Sequence, residues 1–470
     1  MAHDCSSWAR VGCGLLLAAR IAAFPGAPAG AEAASQPLAL MHVNVIPMDR
    51  ERVLFDQTVI VEDGVIATIG PSHSVAVPRE ALRIDSDGTR YLLPGLADMH
   101  AHVDRVEDLE TMVAHGVTTI LNLGPAEAMA ASRERHRIAT GELLGPQVFV
   151  AQMLMWGAPP TPESGRDRVD RIAGAGHEFL KVYGNWPAEM FYETMNYAGE
   201  RGVPVIGHGV AAVGMAGTLE AGVAMIAHAE EWLYCFFDRT QLAEEGARIG
   251  EAVRLARATG SFLTANLSAY ESFGLLADNR AGLEALLTSA RGRTLSPAMR
   301  QMWEFESPIP DWDAAAKERL IVRLAFLRRM VKVFDDTGVP ILAGTDAPGT
   351  IGMFPGHSLL EEVRALTDAG LTPFAAIAAA TRTPGEFIAK YRPSAPLFGV
   401  IAPGARADLL LLESNPLANV GALKKRVGVV VAGRWLSGAE LTARVEAVGE
   451  RYDAEAAALA ESTDLPRDES

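Results

Sequence analysis

The sequence contains little cysteine, with three residues in a chain of 470. Cys5 and Cys13 lie close to the N-terminus, so the rest of the chain carries Cys235 alone. One thiol cannot form an internal disulfide. The fold must therefore be stabilised by packing rather than by covalent cross-links.

The sequence also lacks an excess of basic residues and any long hydrophobic run. The 58 aspartates and glutamates outnumber the 42 lysines and arginines, which gives a formal net charge of −16. A nucleic-acid partner needs a concentrated basic face, so this balance argues against one. No uninterrupted apolar run reaches the length of about 18 residues that a membrane helix requires. The remaining composition, 49% hydrophobic and 21% charged, is typical of a globular protein.

The N-terminal segment has the composition of a secretory signal peptide. Arg10 precedes the apolar run 11–24, which Arg20 interrupts. The small-residue tract 27–33 then offers cleavage sites of the A-x-A type. We expect residues 1–33 to be a signal peptide and the mature protein to be periplasmic or secreted. The alternative is a poorly ordered cytoplasmic leader.

Short β elements at both ends of the chain predict one small sheet domain. Residues 36–92 contain short strand-like runs at 40–46, 58–61 and 65–69, interrupted by Asp63 and Gly64, and similar runs return at 407–412 and 427–431. Two β-rich flanks that pair would form a β-sandwich bracketing the middle of the chain. We assign residues 36–92 and 396–440 to this composite domain. Residues 441–470 are expected to form a C-terminal helix and a polar tail.

The middle of the chain, residues 93–395, alternates strand-like apolar runs with helix-length segments. Eight such runs predict an α/β protein with a (β/α)8 barrel, although a doubly wound open sheet would show the same local pattern. The section 268–338 is too long for one crossover, so it predicts an insertion, either a surface helical pair or a substrate lid. The eight runs are Leu92–Met99, Val117–Leu123, Gln147–Met153, Glu178–Tyr183, Val203–Gly207, Val223–Ala227, Ser261–Leu267 and Val339–Gly344.

Side chains that can bind metal occur in or directly after five of these runs. In a parallel barrel every strand ends at the same face, where active sites are built. Each residue alone has an ordinary structural explanation, such as a capping histidine or a turn aspartate. Together they predict a metal centre, and a lysine inside an apolar strand is hard to explain otherwise. The set is His100, His102, Lys181, His208, His228 and Asp346.

This order of residues resembles the amidohydrolase superfamily. The order is H-x-H, then a lysine in the fourth strand, two histidines and an aspartate. The surrounding segments are similar to the prolidase and imidazolonepropionase-like branch: LLPGLADMHAH, FLKVY, GVPVIGHG, EAGVAMIAHAEE and GVPILAGTDA. The resemblance covers residues 36–440. It is specific for the superfamily and much less specific for a substrate.

The resemblance implies two divalent metal ions, usually zinc, bridged by a carbamate that forms on Lys181 from carbon dioxide. Burial beside the metals would lower the lysine pKa and supply the neutral amine that carbon dioxide needs. Histidine and oxygen ligands suit zinc, although manganese or cobalt could also serve. The implied ligands are His100, His102 and Asp346 for one ion and His208 and His228 for the other.

The implied reaction is hydrolysis of a carbon–nitrogen bond by a hydroxide that bridges the metals. Asp346 would take the hydroxide proton and return it to the leaving nitrogen. We expect a small-molecule substrate of the dipeptide or N-acyl amino acid type. The alternatives are a cyclic amide or imidazolone, an aromatic amide or a lactone. A metal-free barrel that only binds ligands is the non-enzymatic alternative, and assembly into a homo-oligomer stays open.

Three further residues are candidates for substrate contact. Tyr183 lies two residues after Lys181 and so shares its face of the strand. Relatives carry a Gly-Gly-His segment after strand three, whereas here the stretch 152–160 has no histidine and contains Trp156 among methionines. This indicates an apolar substrate group or ordinary core. His357 follows the strand-eight aspartate closely enough to line the pocket, or it caps the next helix.

Overall fold

The computed structural model describes residues 36–125, 128–153 and 161–463. The expected signal peptide, Trp156 and the end of the expected polar tail lie outside the described residues. No helix in these ranges combines the length and the apolar character needed to cross a membrane.

Sixteen strands and sixteen α-helices form within the described ranges. The strands are β1 (Leu38–Val45), β2 (Leu54–Glu62), β3 (Val65–Pro71), β4 (Leu82–Asp85), β5 (Tyr91–Pro94), β6 (Leu96–Ala101), β7 (Val117–Gly124), β8 (Gln147–Met153), β9 (Phe179–Val182), β10 (Val205–Gly207), β11 (Met225–Ala227), β12 (Phe262–Thr264), β13 (Ile341–Leu342), β14 (Leu409–Leu412), β15 (Arg426–Val431) and β16 (Arg434–Ser437). The helices are α1 (Val106–Ala114), α2 (Ala130–Ala139), α3 (Pro162–Gly174), α4 (Ala188–Glu200), α5 (Gly214–Glu220), α6 (Glu231–Cys235), α7 (Leu242–Glu245), α8 (Ile249–Thr259), α9 (Leu267–Leu276), α10 (Arg280–Leu287), α11 (Pro297–Gln301), α12 (Ala314–Asp336), α13 (His357–Asp368), α14 (Pro373–Ala379), α15 (Arg382–Tyr391) and α16 (Gly438–Thr463).

Strands β6 to β13 form a parallel sheet that closes into a barrel. Neighbours pair in chain order from β6 to β13. The first and last strands are joined by backbone hydrogen bonds, in which Met99 N donates to Ala343 O at 2.9 Å and Asp346 N donates to His100 O at 2.7 Å. The predicted (β/α)8 barrel is therefore confirmed. All eight strands end at one face, where a site can form.

Aromatic side chains fill the barrel interior near the amino-terminal ends of its strands. Phe149, Phe179 and Phe262 belong to one buried cluster inside the barrel. Phe387 of α15 joins them, with its ring centroid 5.3 Å from that of Phe179 and 5.0 Å from that of Phe262. The interior is thus a packed core.

The remaining strands form one sheet from both ends of the chain. Its order is β16-β15-β14-β5-β1-β2-β3, with β4 paired to β1. The two flanks meet where β14 pairs antiparallel with β5, so that Leu410 lies opposite Leu93. The expected β domain built from both flanks is confirmed. The residue limits assigned to the domains stay predictions.

The first predicted run, Leu92–Met99, is split between the two sheets. Its first residues belong to β5, and the barrel strand β6 begins at Leu96. Gly95 marks the break, and an added Cβ there would lie 2.1 Å from Thr118 Oγ1. Only glycine allows β6 to start this close to β7. Another run, Ser261–Leu267, is shorter than predicted because α9 already begins at its last residue.

The expected insertion folds mainly as helices α9 to α12, with short turns between them. Trp303 is fully buried, and its Nε1 donates to Pro348 O at 3.2 Å. Its ring also meets Phe354 edge-on, with centroids 5.2 Å apart. These contacts support the loop that follows β13. A lid function for this segment stays a prediction.

Gly95→Ala is expected to lower the thermal unfolding midpoint because the added methyl group overlaps Thr118. Overpacking of this kind costs about 1–3 kcal/mol, which calorimetry detects easily. Gly174→Ala at the end of α3 is the matched control, since an added Cβ there meets no atom within 4 Å. Equal midpoints for the two variants would contradict the close approach of β6 to β7.

Candidate metal centre

Strand β6 and the loop after β13 bring His100, His102 and Asp346 into direct contact. Asp346 Oδ1 lies 3.0 Å from His100 Nε2 and 2.9 Å from His102 Nε2. The two ring nitrogens are 3.3 Å apart. Burial, reinforced by the charge of Lys181, lowers the pKa of His100 to about 3 and also lowers the pKa of His102. Both rings are therefore neutral near pH 7, the form that binds metal.

Lys181 approaches the same histidine from β9. Its Nζ lies 3.3 Å from His100 Nε2, and the residue is 2% exposed. Burial lowers the pKa of Lys181 to about 8, so a useful fraction of the amine is neutral at mildly alkaline pH. His100 Nε2 now has three polar neighbours within 3.3 Å. One imidazole nitrogen offers a single proton or lone pair, so it cannot satisfy all three by hydrogen bonding.

Strands β10 and β11 add the two remaining histidines. A ring nitrogen of His228 and the ligand atoms of His100 and Asp346 all lie within 4.8 Å of one another. The His228 ring centroid is 5.3 Å from that of His208. Burial, followed by the neighbouring His100, holds the pKa of His228 well below its usual value. The structure thus gathers all six residues chosen from the sequence. That they bind metal stays a prediction.

Glu231 orients His208, and sequence reasoning missed it. Its Oε1 lies 2.8 Å from His208 Nδ1, and its Oε2 accepts from Gly209 N at 3.0 Å. A carboxylate on Nδ1 fixes the tautomer and leaves Nε2 available to a metal. The sequence did contain one signal for it, the pair of acidic residues Glu230 and Glu231 shortly after His228.

Asp98 is a second residue that sequence reasoning missed. It is fully buried, and its Oδ1 accepts from His100 N at 3.2 Å and from Thr345 N at 3.0 Å. Its Oδ2 accepts from the Thr345 hydroxyl at 2.6 Å. Burial raises the pKa of Asp98 to about 7. These bonds fix the backbone of β6 relative to the loop that carries Asp346. The sequence did contain one signal for Asp98, because an acidic residue inside an apolar strand is unusual.

Two of the three candidate substrate contacts can be placed. The ring of Tyr183 stacks on His208, with centroids 4.7 Å apart, and lies 5.1 Å from Lys181 Nζ. It therefore belongs to the wall of the site. His357 instead meets His115 edge-on at 5.7 Å and lies 3.8 Å from a Glu361 carboxylate oxygen. Within the described part of the chain, it is not brought to the six residues.

The family comparison agrees with this geometry. Residues 91–436, well over half of the chain, match the amidohydrolase family. The chain belongs to the amidohydrolase family. It is accordingly a hydrolase, from a family that is generally metal-dependent, with a possible metal-binding site. No curated protein matches the chain.

Solved structures share the fold over most of the chain. Bottromycin amidohydrolase superposes with a TM-score of 0.67 at 26% identity, covering 88% of this chain and 91% of that chain. A Bifidobacterium longum protein assigned as a prolidase gives 0.66 at 23% identity, covering 88% and 99%. A Xaa-Pro dipeptidase with bound methionine in its active site gives 0.63 at 18% identity, covering 85% and 100%.

Glu231→Gln is expected to weaken zinc binding by about 10- to 100-fold, the usual effect of losing a carboxylate behind a metal-bound histidine. The neutral amide makes the His208 ring less basic and holds it less firmly. Competition against a chromophoric chelator measures the affinity. Glu244→Gln on α7 is the control, because that side chain is exposed. Equal affinities for the two variants would rule out a positioning role for Glu231.

Proposed function

We propose that the protein is a binuclear metal-dependent hydrolase of carbon–nitrogen bonds in dipeptides or N-acyl amino acids. The convergence of four histidines, a buried lysine and an aspartate at the carboxyl end of the barrel carries this proposal. Two divalent ions, zinc in this proposal, supply Lewis acidity and a nucleophilic water at neutral pH when they are bound.

The residues present suit such a pair of ions. His100 Nε2 is crowded by three polar atoms that hydrogen bonding cannot satisfy together, and a shared cation removes this conflict. The lowered pKa of Lys181 suits formation of a carbamate, which would supply the bridging anion. His100, His102 and Asp346 would hold one ion, and His208 and His228 would hold the other.

Asp346 is the proposed proton carrier. Burial alone would favour its neutral form, but His100 and His102 outweigh burial and hold the pKa of Asp346 well below its usual value. The carboxylate is therefore ionised at neutral pH. The Thr350 hydroxyl donates to Oδ2 and keeps Oδ1 turned towards the histidines. Asp346 would accept the proton of the attacking water and donate it to the leaving nitrogen.

The substrate class is supported by the relatives. The similar structures are an amidohydrolase, a protein assigned as a prolidase and a Xaa-Pro dipeptidase. The stacked ring of Tyr183 beside His208 would give the substrate one flat wall. Cyclic amides, aromatic amides and lactones are the competing substrates. The direct test is hydrolysis of matched panels of all these classes by zinc-loaded protein. Turnover of lactones alone would contradict the proposal.

Asp346→Asn is expected to reduce kcat by about 10²–10⁴, the usual contribution of general acid–base catalysis. Part of the metal should stay bound, because the amide oxygen can still act as a ligand. Steady-state kinetics together with metal analysis of the same sample separates the two effects. Asp311→Asn, at an exposed position, is the control. A near wild-type kcat would refute the proton-carrier role.

A further inference from the structure

Asn266 follows the seventh barrel strand much as two predicted metal ligands follow the sixth and the eighth. His228, Asn266 and Asp346 have φ angles of 80°, 49° and 63°. Positive φ is uncommon for residues other than glycine, and such residues cluster at functional sites. The proposed mechanism uses His228 and Asp346 but gives Asn266 no role.

Backbone pairing places Asn266 between these two ligands. Ala229 N donates to Ala265 O at 3.2 Å, which joins the residue after His228 to the residue before Asn266. On the other side, Ala265 N donates to Leu342 O at 3.0 Å, in the strand that leads to Asp346. Asn266 therefore lies at the barrel mouth.

Strand β12, which leads to Asn266, ends at Thr264. Thr264, two residues earlier, faces inwards, because an added Cβ at Gly344 would lie 2.5 Å from Thr264 Cγ2 and 2.9 Å from His100 Cβ. Asn266 follows two residues after Thr264, so it lies at the same end of the barrel as His228 and Asp346.

The amide of Asn266 is buried without a hydrogen-bond partner among the described residues. The residue is 1% exposed, and neither Oδ1 nor Nδ2 is paired. Native proteins pair nearly all buried polar side chains, and each exception needs an explanation. A hydrogen bond to a bound substrate would explain this exception.

Asn266 is also the N-cap residue of α9, yet it does not cap the helix. Asparagine is favoured at this position because its side chain normally accepts hydrogen bonds from the first turn. Here Glu362 of α13 does so instead, accepting from Leu267 N at 3.1 Å and from Ser268 N at 2.7 Å. Glu362 is completely buried. Glu362 therefore caps α9, and the Asn266 amide can pair with another partner.

We infer that Asn266 is a substrate-binding residue that pairs with the amide group of the substrate. Its Oδ1 would accept from the substrate N–H, and its Nδ2 would donate to a substrate carbonyl. This inference rests on the proposed function and sharpens it. An ester or lactone has no N–H to offer, so Asn266 selects amides over esters of the same shape.

The test compares the dipeptide Ala-Leu with its ester analogue, in which oxygen replaces the peptide N–H. Asn266→Gly removes the amide, and glycine adopts positive φ without strain. We expect kcat/KM for the dipeptide to fall by about 10- to 100-fold. The ester loses only the carbonyl contact, so its kcat/KM should fall by about tenfold less. Asn266→Ala is a second variant that keeps a Cβ before α9 and should give the same selectivity change.

Zinc content is measured for both variants and is expected to match the wild type. The thermal midpoint is expected to match the wild type for Asn266→Gly and to fall for Asn266→Ala, because alanine is strained at positive φ. Asn419→Gly, at an exposed turn, is the control. An unchanged kcat/KM for the dipeptide, or equal losses on dipeptide and ester, would overturn the inference. If the wild type itself hydrolyses no dipeptide or N-acyl amino acid, the proposed function fails. If the wild type is active and the variants equal it, this inference alone fails.

Discussion

The crowding of polar atoms around one imidazole nitrogen is the constraint on which the candidate site depends. His100 Nε2 lies within 3.3 Å of an aspartate oxygen, a second imidazole nitrogen and a lysine nitrogen. Water is excluded here, since His100 is completely buried. Burying such groups without a compensating partner is costly. The fold must therefore hold them together by strong packing around the barrel, and a bound cation would relieve the conflict.

Buried carboxylates keep the loops at the barrel mouth in place. Asp98 joins β6 to the loop after β13, Glu231 holds His208, and Glu362 caps α9. In each case the carboxylate accepts at least two hydrogen bonds, one or more of them from backbone N–H groups. Backbone donors are fixed by the fold, so these contacts position residues more rigidly than long basic side chains would. The chemistry proposed for Asp346 depends on this rigidity.

Much of the fold and most of the site could be predicted from sequence because strand ends in a parallel barrel converge. Convergence needs only the order of elements, so His208 and His228 were identifiable without a local motif. The limits of the strands were harder to predict. The apolar run 92–99 is continuous in sequence, and its division at Gly95 depends on the approach of Thr118 from the next strand.

Residues that act through contacts with other parts of the chain were also missed, because the sequence around them does not show these contacts. Nothing local to Glu231 or Asp98 predicts their contacts with His208 and Thr345, because these two partners follow other strands. His357 shows the opposite case: it follows Asp346 closely in sequence, yet its ring packs on His115 at the end of α1. Sequence proximity after a strand does not ensure a place in the site.

The most direct test of the central claim is the metal content of Lys181→Ala, measured by elemental analysis after reconstitution with zinc and bicarbonate. Lys425→Ala, at an exposed position, is the control. We expect about two zinc ions per chain for the wild type and the control. We expect less than about one for Lys181→Ala, because the bridging anion is lost. Two tightly bound zinc ions in Lys181→Ala would contradict the central claim.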